Sequence, residues 1–197
     1  MEQYWRILLS QARYNELHAG LTVHTITGET GPHAFRSLEK TMLDFKPKTI
    51  LEIGFNRGSS ALSFLLASEP WGAVVYSVDV RRNVQPCVDY LQELFPNRFH
   101  YIKTDSARLL EDGLFPLETV DLVFIDGNHS YEYIRKDTET AFALNARYIL
   151  YDEYTHPPHM KDVRKVMKEL DLVLVEDYSV TFNDKQLFQG LTERRVL

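Results

Sequence analysis

Apolar and polar positions alternate along most of this chain in an order that predicts strands followed by helices. Short apolar runs at residues 49–53, 73–78, 99–103, 120–125 and 147–151 read as strands. Between them, segments 59–68, 84–95, 131–144 and 160–170 carry apolar residues at helical spacing, and 106–111 reads as a short helix. Upstream, 4–17 and 33–45 read as helices, the second with Phe35, Leu38, Met42 and Phe45 on one face. Pro47 stops that helix before the first strand. Residues 18–32 are rich in Gly and Thr and read as loop. Near the end, 172–176 is extended, and segments 180–182 and 186–191 flank Asn183, Asp184 and Lys185 in the manner of a hairpin.

This alternation implies an α/β fold, a doubly wound and mainly parallel sheet with helices on both faces and an antiparallel C-terminal hairpin. Residues 1–46 form an N-terminal helical extension and 47–197 the main domain. Glycines at 20, 28 and 31 make 18–33 a candidate lid. Ligands of such sheets bind at the carboxyl ends of the strands, so strand ends are where chemistry is sought.

The first strand end is the most informative. In TILEIGFNRGSS, residues 49–60, an apolar run meets Gly54, turns, and enters a helix near Gly58. Such a turn presents backbone N–H groups at a helix N-terminus to a ligand. A dinucleotide fingerprint needs glycine at 54, 56 and 59, but Asn56 and Ser59 stand at two of these positions. Asp79 ends the second strand about 20 residues past Gly58, where an acid accepts hydrogen bonds from ribose hydroxyls. That acid is shared with NAD enzymes and does not discriminate by itself. The third strand is followed by Asp105 and Ser106, the fourth by Asp126, Gly127, Asn128 and His129, and the fifth by Asp152 and Glu153. Adjacent strand ends converge, so Asp126, Asp152 and Glu153 would repel unless protons or a cation intervene. An all-oxygen set suits Mg²⁺, Mn²⁺ or Ca²⁺.

The pattern of Glu52, Gly54, Asn56 and Gly58, followed by Asp79 and then Asp105, resembles the Rossmann-like S-adenosylmethionine methyltransferases. Asn56 departs from their usual central glycine. The resemblance implies a seven-stranded sheet and a methyl donor held by Glu52, Gly54, Asn56, Gly58, Ser59, Asp79, Asp105, Ser106 and Asp126. Asp79 would take the ribose, and Asp105 with Ser106 the adenine amino group. The segment from Ile125 to Tyr131 further resembles the metal-dependent small-molecule O-methyltransferases. Asp126, His129, Asp152 and Glu153 are more similar to the macrocin-type sugar branch than to the catechol-type branch, with Glu153 replacing the second acid of a pair. This implies a divalent ion, Mg²⁺ foremost, on Asp126, Asp152 and Glu153, with His129 as general base. The acceptor would be a small hydroxylated molecule; sugars, phenols and N-methylation all stay open. Two rivals share these residues: a cephalosporin hydroxylase-like protein, and a non-catalytic donor-binding module.

Composition narrows the partners. The chain has 197 residues, 44% of them hydrophobic, enough for one packed domain and a short extension. A formal net charge of −6 argues against nucleic acid as the main partner. Cys87 is the single cysteine, which excludes an intrachain disulfide and a thiolate metal cage. The first residues lack a secretory pattern, and no apolar run approaches the ~20 residues of a membrane span. A cytoplasmic protein is expected; self-association stays open.

Overall fold

The computed structural model describes residues 2–23, 32–152, 154, 157–177, 180–182, 185–187 and 190–194. Five strands pair in parallel: β1 (Thr49–Ile53), β2 (Val74–Asp79), β3 (Phe99–Lys103), β4 (Leu122–Ile125) and β5 (Tyr148–Tyr151). At the far edge lies β6 (Leu172–Asp177). A last strand, β9 (Gly190–Arg194), runs antiparallel between β5 and β6. The seven-stranded order is β3-β2-β1-β4-β5-β9-β6. The expected sheet, mainly parallel with an antiparallel C-terminal element, is therefore present. Two short strands, β7 (Val180–Phe182) and β8 (Lys185–Leu187), form the hairpin as a separate antiparallel pair.

The helices are α1 (Glu2–Val23), α2 (Pro32–Phe45), α3 (Ser59–Ala67), α4 (Gln85–Leu94), α5 (Tyr131–Ala143) and α6 (Met160–Glu169). Three sequence expectations change. Residues 18–23 continue α1 rather than forming loop; of the rest of the candidate lid, 24–31 lies outside the described residues and 32–33 opens α2. The short helix at 106–111 is a 3-10 turn, Ser106–Arg108. The single strand at 186–191 divides between β8 and β9. Gly190 opens β9 where a Cβ would fall 2.2 Å from the Tyr154 ring, so the chain passes this point only as glycine.

Side-chain alternation sorts the strands onto two cores. Ile50 joins Phe64, Leu65, Val88 and Leu91 under α3 and α4, whereas Leu51 and Ile53 join Ile134, Ala141, Val163 and Val166 under α5 and α6. All four residues of β4 are buried because strands flank it and helices cover both faces. Tyr14, Leu21, Leu38 and Met42 belong to the first cluster, so α1 and α2 share the core of the sheet. Arg98 closes the end of α3, donating to the carbonyls of Leu65 (2.8 Å) and Ala73 (2.9 Å) and to the Ser68 hydroxyl (2.7 Å). Among the described residues, no helix is long and apolar enough to cross a membrane.

Glu52 is the exception on β1, a carboxyl with no exposure at all. It follows Ile50 in the alternation and therefore points under α3. The Ser60 hydroxyl of α3 and the Ser77 hydroxyl of β2 both donate to it, pinning helix to sheet. Burial pushes its pKa up from 4.5 to about 7, against the opposing pull of the two serines. Between these values the folded chain holds a proton that the unfolded chain has released. Stability contributed by this group is thus full below about pH 4.5 and lost as pH rises through about 7, on the order of 3 kcal/mol. Glu52→Gln should flatten that decline. Urea midpoints measured from about pH 5 to 8 test this; a variant whose stability falls as steeply as the wild type removes Glu52 as the cause.

Candidate active site

The carboxyl ends of β1, β2 and β4 are tied at Gly54. Its N–H donates to the Val78 carbonyl (2.9 Å), and the Asp126 N–H donates to the Ile53 carbonyl (2.9 Å). Gly54 adopts φ +100°, and a Cβ there would lie 2.1 Å from the Asp126 carbonyl oxygen. No other residue type satisfies both the dihedral and the contact. The chain then turns through Asn56, at φ +48°, to Gly58 at φ +83°, which caps α3.

Above these strand ends lies a cleft of about 530 Å³, within the range of small-molecule sites. Gly54, Asn56, Asp79, Asp105, Ser106, Asp126 and His129 all line it, so seven of the predicted residues share one space. Asp79 is held from two sides: Oδ2 accepts from the Asn56 N–H (2.7 Å) and Oδ1 from the Arg81 N–H (2.9 Å). The Arg81 guanidinium also donates to Asn56 Oδ1, closing a ring of contacts around the acid. Asp105 caps the 3-10 turn through the Ala107 N–H (3.0 Å) and accepts from the Tyr133 hydroxyl (3.1 Å). That hydrogen bond, with the charge of Asp105, raises the Tyr133 pKa.

At the other end, His129 Nε2 lies 3.4 Å from Asp126 Oδ1, and the His159 ring meets the His129 ring edge to face at 5.0 Å. The remaining expected residues sit elsewhere. Glu52 points away from the cleft, beneath α3. Gly58 does not line the cleft; a Cβ there would meet the Phe55 ring at 2.8 Å and Leu91 at 2.9 Å, so its requirement is packing. Ser59 is buried, with its hydroxyl 3.0 Å from His18 Nε2 on α1. Asp152 donates its N–H to the Ile125 carbonyl (3.1 Å) but does not line the cleft, and Glu153 lies outside the described residues. Among the described residues, no three His, Cys, Asp or Glu side chains are grouped to hold a metal ion. Of the expected oxygen set, the described residues place Asp126 on the cleft.

Sequence reasoning missed Tyr133 and Arg81 as cleft residues. Arg81 follows Asp79 closely enough to be placed at the same strand end. Tyr133 becomes visible only once α5 is seen to pack against the 3-10 turn that follows β3.

The architecture is that of the Rossmann-like methyltransferases. It superposes on the O-methyltransferase TomG from Streptomyces achromogenes, involved in tomaymycin synthesis and solved with SAM, at TM-score 0.69 and 16% identity, covering 94% of this chain and 89% of that one. The SAH-bound Podospora anserina methyltransferase PaMTH1 gives 0.67 and 15%, with 95% and 88% covered. An O-methyltransferase from Bacillus cereus in complex with SAH gives 0.66 and 15%, with 92% and 89% covered. Likeness at this level of identity speaks to fold alone. Residues 51–147 match the family profile described as a methyltransferase domain. Just under half of the chain therefore carries a methyltransferase-domain profile, and the methyltransferase class read from the strand-end residues agrees with it. No functionally curated protein matches the chain at a significant level.

Gly54→Ala should cost about 2–4 kcal/mol, since it adds both a left-handed dihedral and a backbone clash. Urea unfolding checks this, and an unchanged midpoint would show that the junction of β1 and β4 tolerates a side chain.

Proposed function

We propose that the protein transfers the methyl group of S-adenosylmethionine to an oxygen of a small hydroxylated molecule, with His129 as the base. The observation that carries this reading is the convergence of Asp79, Asp105 and Asp126, from three different strand ends, on one cleft. A carboxylate offers about four acceptor positions. The two backbone N–H groups on Asp79 leave room for a pair of ribose hydroxyls. Asp105 and Ser106 stand where the exocyclic amine of a base would be read. The donor supplies an activated methyl on a sulfonium.

At the opposite end, Asp126 orients the His129 imidazole for the acceptor. The acceptor O–H bond breaks as its proton passes to His129. The oxygen lone pair forms the new bond to carbon, and the electrons of the broken C–S bond return to sulfur, leaving a neutral thioether. Imidazole suits proton transfer near neutral pH. Most of the acceleration comes from holding oxygen and carbon in line at attack distance.

Asp79→Ala should weaken binding of S-adenosylhomocysteine about 30-fold or more, given the strength of hydrogen bonds to a charged acceptor. Calorimetry reads this directly, and unchanged affinity would take the ribose away from Asp79. His129→Ala should lower turnover about 10²- to 10⁴-fold, with product affinity held within about threefold. Release of S-adenosylhomocysteine against a panel of catechols and sugars is the assay. A loss of affinity without loss of turnover would make His129 a binding residue.

The finer form of the proposal adds a divalent ion. Asp126 lines the cleft and would be its principal ligand, with Asp152 and Glu153 completing the set from the next strand end. Such an ion would acidify a bound hydroxyl. Under this form, chelation abolishes turnover and Mg²⁺ restores it. Turnover that survives exhaustive chelation removes the ion and leaves the Asp126–His129 pair.

A further inference from the structure

One carboxyl beside the cleft has no place in the reaction above. Asp137 on α5 is fully buried, and among the described residues no group lies in hydrogen-bonding geometry with either of its oxygens. A buried polar group in this state is costly, so its surroundings carry information.

Those surroundings join two parts of the site. Tyr133 and Asp137 are one helical turn apart on α5 and project from one face. Tyr133 reaches Asp105 (3.1 Å). The Ser106 side chain lies close enough to Asp137 to favour its charged form, although it is not aligned as a donor. On the other side, a Cβ on Gly127 would lie 3.8 Å from Asp137 Oδ2, so only a glycine separates this carboxyl from the loop that carries His129. Behind it, Thr138 and Tyr151 are bonded to each other (2.8 Å). Both Ser106 and Gly127 line the cleft, whereas Asp137 does not. Burial, reinforced by the charge of Asp105, pushes the Asp137 pKa up to about 7, as befits a carboxyl still lacking its donors.

We propose that Asp137 is a positioning residue that joins the turn at Asp105–Ser106 to the loop at Asp126–His129, so that filling the base end of the cleft fixes the histidine at the other end. Ser106 is the contact on one side and the open face of Gly127 the contact on the other. Filling the cleft draws the Ser106 hydroxyl and the loop onto the waiting carboxyl. The inference rests on the donor-binding reading above, because it needs a ligand that touches Ser106.

The test needs no acceptor. The ring resonance of His129, assigned by its loss in His129→Gln, is followed as S-adenosylhomocysteine is added to saturation, with calorimetry counting bound ligand per chain. The resonance should shift in the wild type. Asp137→Ala should lose more than half of that shift while still binding one ligand per chain. Asp137→Asn keeps the shape and an acceptor oxygen, and should retain most of the shift. A full shift in Asp137→Ala, or an equal loss in Asp137→Asn and Asp137→Ala, overturns the proposal. Asp137→Leu, which keeps the volume and removes both oxygens, carries the decision by the same criteria if Asp137→Ala does not fold. A wild-type chain that binds no S-adenosylhomocysteine overturns the donor-binding reading itself, an outcome that calorimetry separates from failure of the link alone.

Discussion

The junction at Gly54 is the constraint on which the site depends. Here β1 touches the strands on both of its sides at their carboxyl ends. Its N–H reaches Val78 on β2, and its missing side chain admits the Asp126 carbonyl after β4. The switch in strand order also falls here, between β1 and β4. From this point α3 leaves toward one core and α5 toward the other. Two helices departing to opposite faces leave an open crevice between them. Asp79 and Asp126, on either side of that crevice, owe their proximity to the one residue that lets their strands end together.

The charge pattern of the crevice then favours one kind of ligand. Three carboxylates, Asp79, Asp105 and Asp126, line it against one arginine. Each is supported by donors or a neighbouring imidazole: Asn56 and Arg81 backbone for Asp79, Ala107 and Tyr133 for Asp105, His129 for Asp126. A dinucleotide would bring a pyrophosphate, two negative charges, into this acidic space without the glycine cradle that normally receives them. A sulfonium donor brings a positive charge together with ribose and amine donors. The same carboxylates that repel the first attract the second.

The sequence carried the strand ends and lost the side-chain directions. Gly54, Asp79, Asp105 and Asp126 were legible because each follows an apolar run closely, and a parallel sheet aligns such positions. Glu52 stands apart from the donor motif it resembles because, two residues after Ile50, it must share that residue's face and go beneath α3. Gly58 resembles a site of ligand approach in sequence, yet the side chains that require it are the Phe55 ring and Leu91 of α4, contacts that only tertiary packing reveals. Residues 18–23 were read as loop from local composition, but α1 continues through them. Leu21 is buried against the core, and tertiary contact outweighs weak propensity. Asp137 was legible in principle, since it shares the inward stripe of Ile134, Thr138 and Ala141; a carboxyl on such a stripe is a signal in itself.

Under the proposed reaction, the catalytic end turns on how one imidazole is shared. His129 faces Asp126 through Nε2, and a carboxylate beside a ring nitrogen favours the N–H at that nitrogen. In that proposal Nδ1 is the atom left to take the acceptor's proton, which would arrive on that side. The same contact holds the imidazolium after transfer, because the new charge lies beside an existing negative one. A metal ion on Asp126 would compete for that carboxylate and weaken its hold on the ring. Acid assistance from an ion and orientation of the base by Asp126 are therefore alternative uses of a single carboxylate. Among the described residues Asp126 Oδ1 lies 3.4 Å from His129 Nε2, so whichever use prevails, it is this carboxylate that decides how the ring is held.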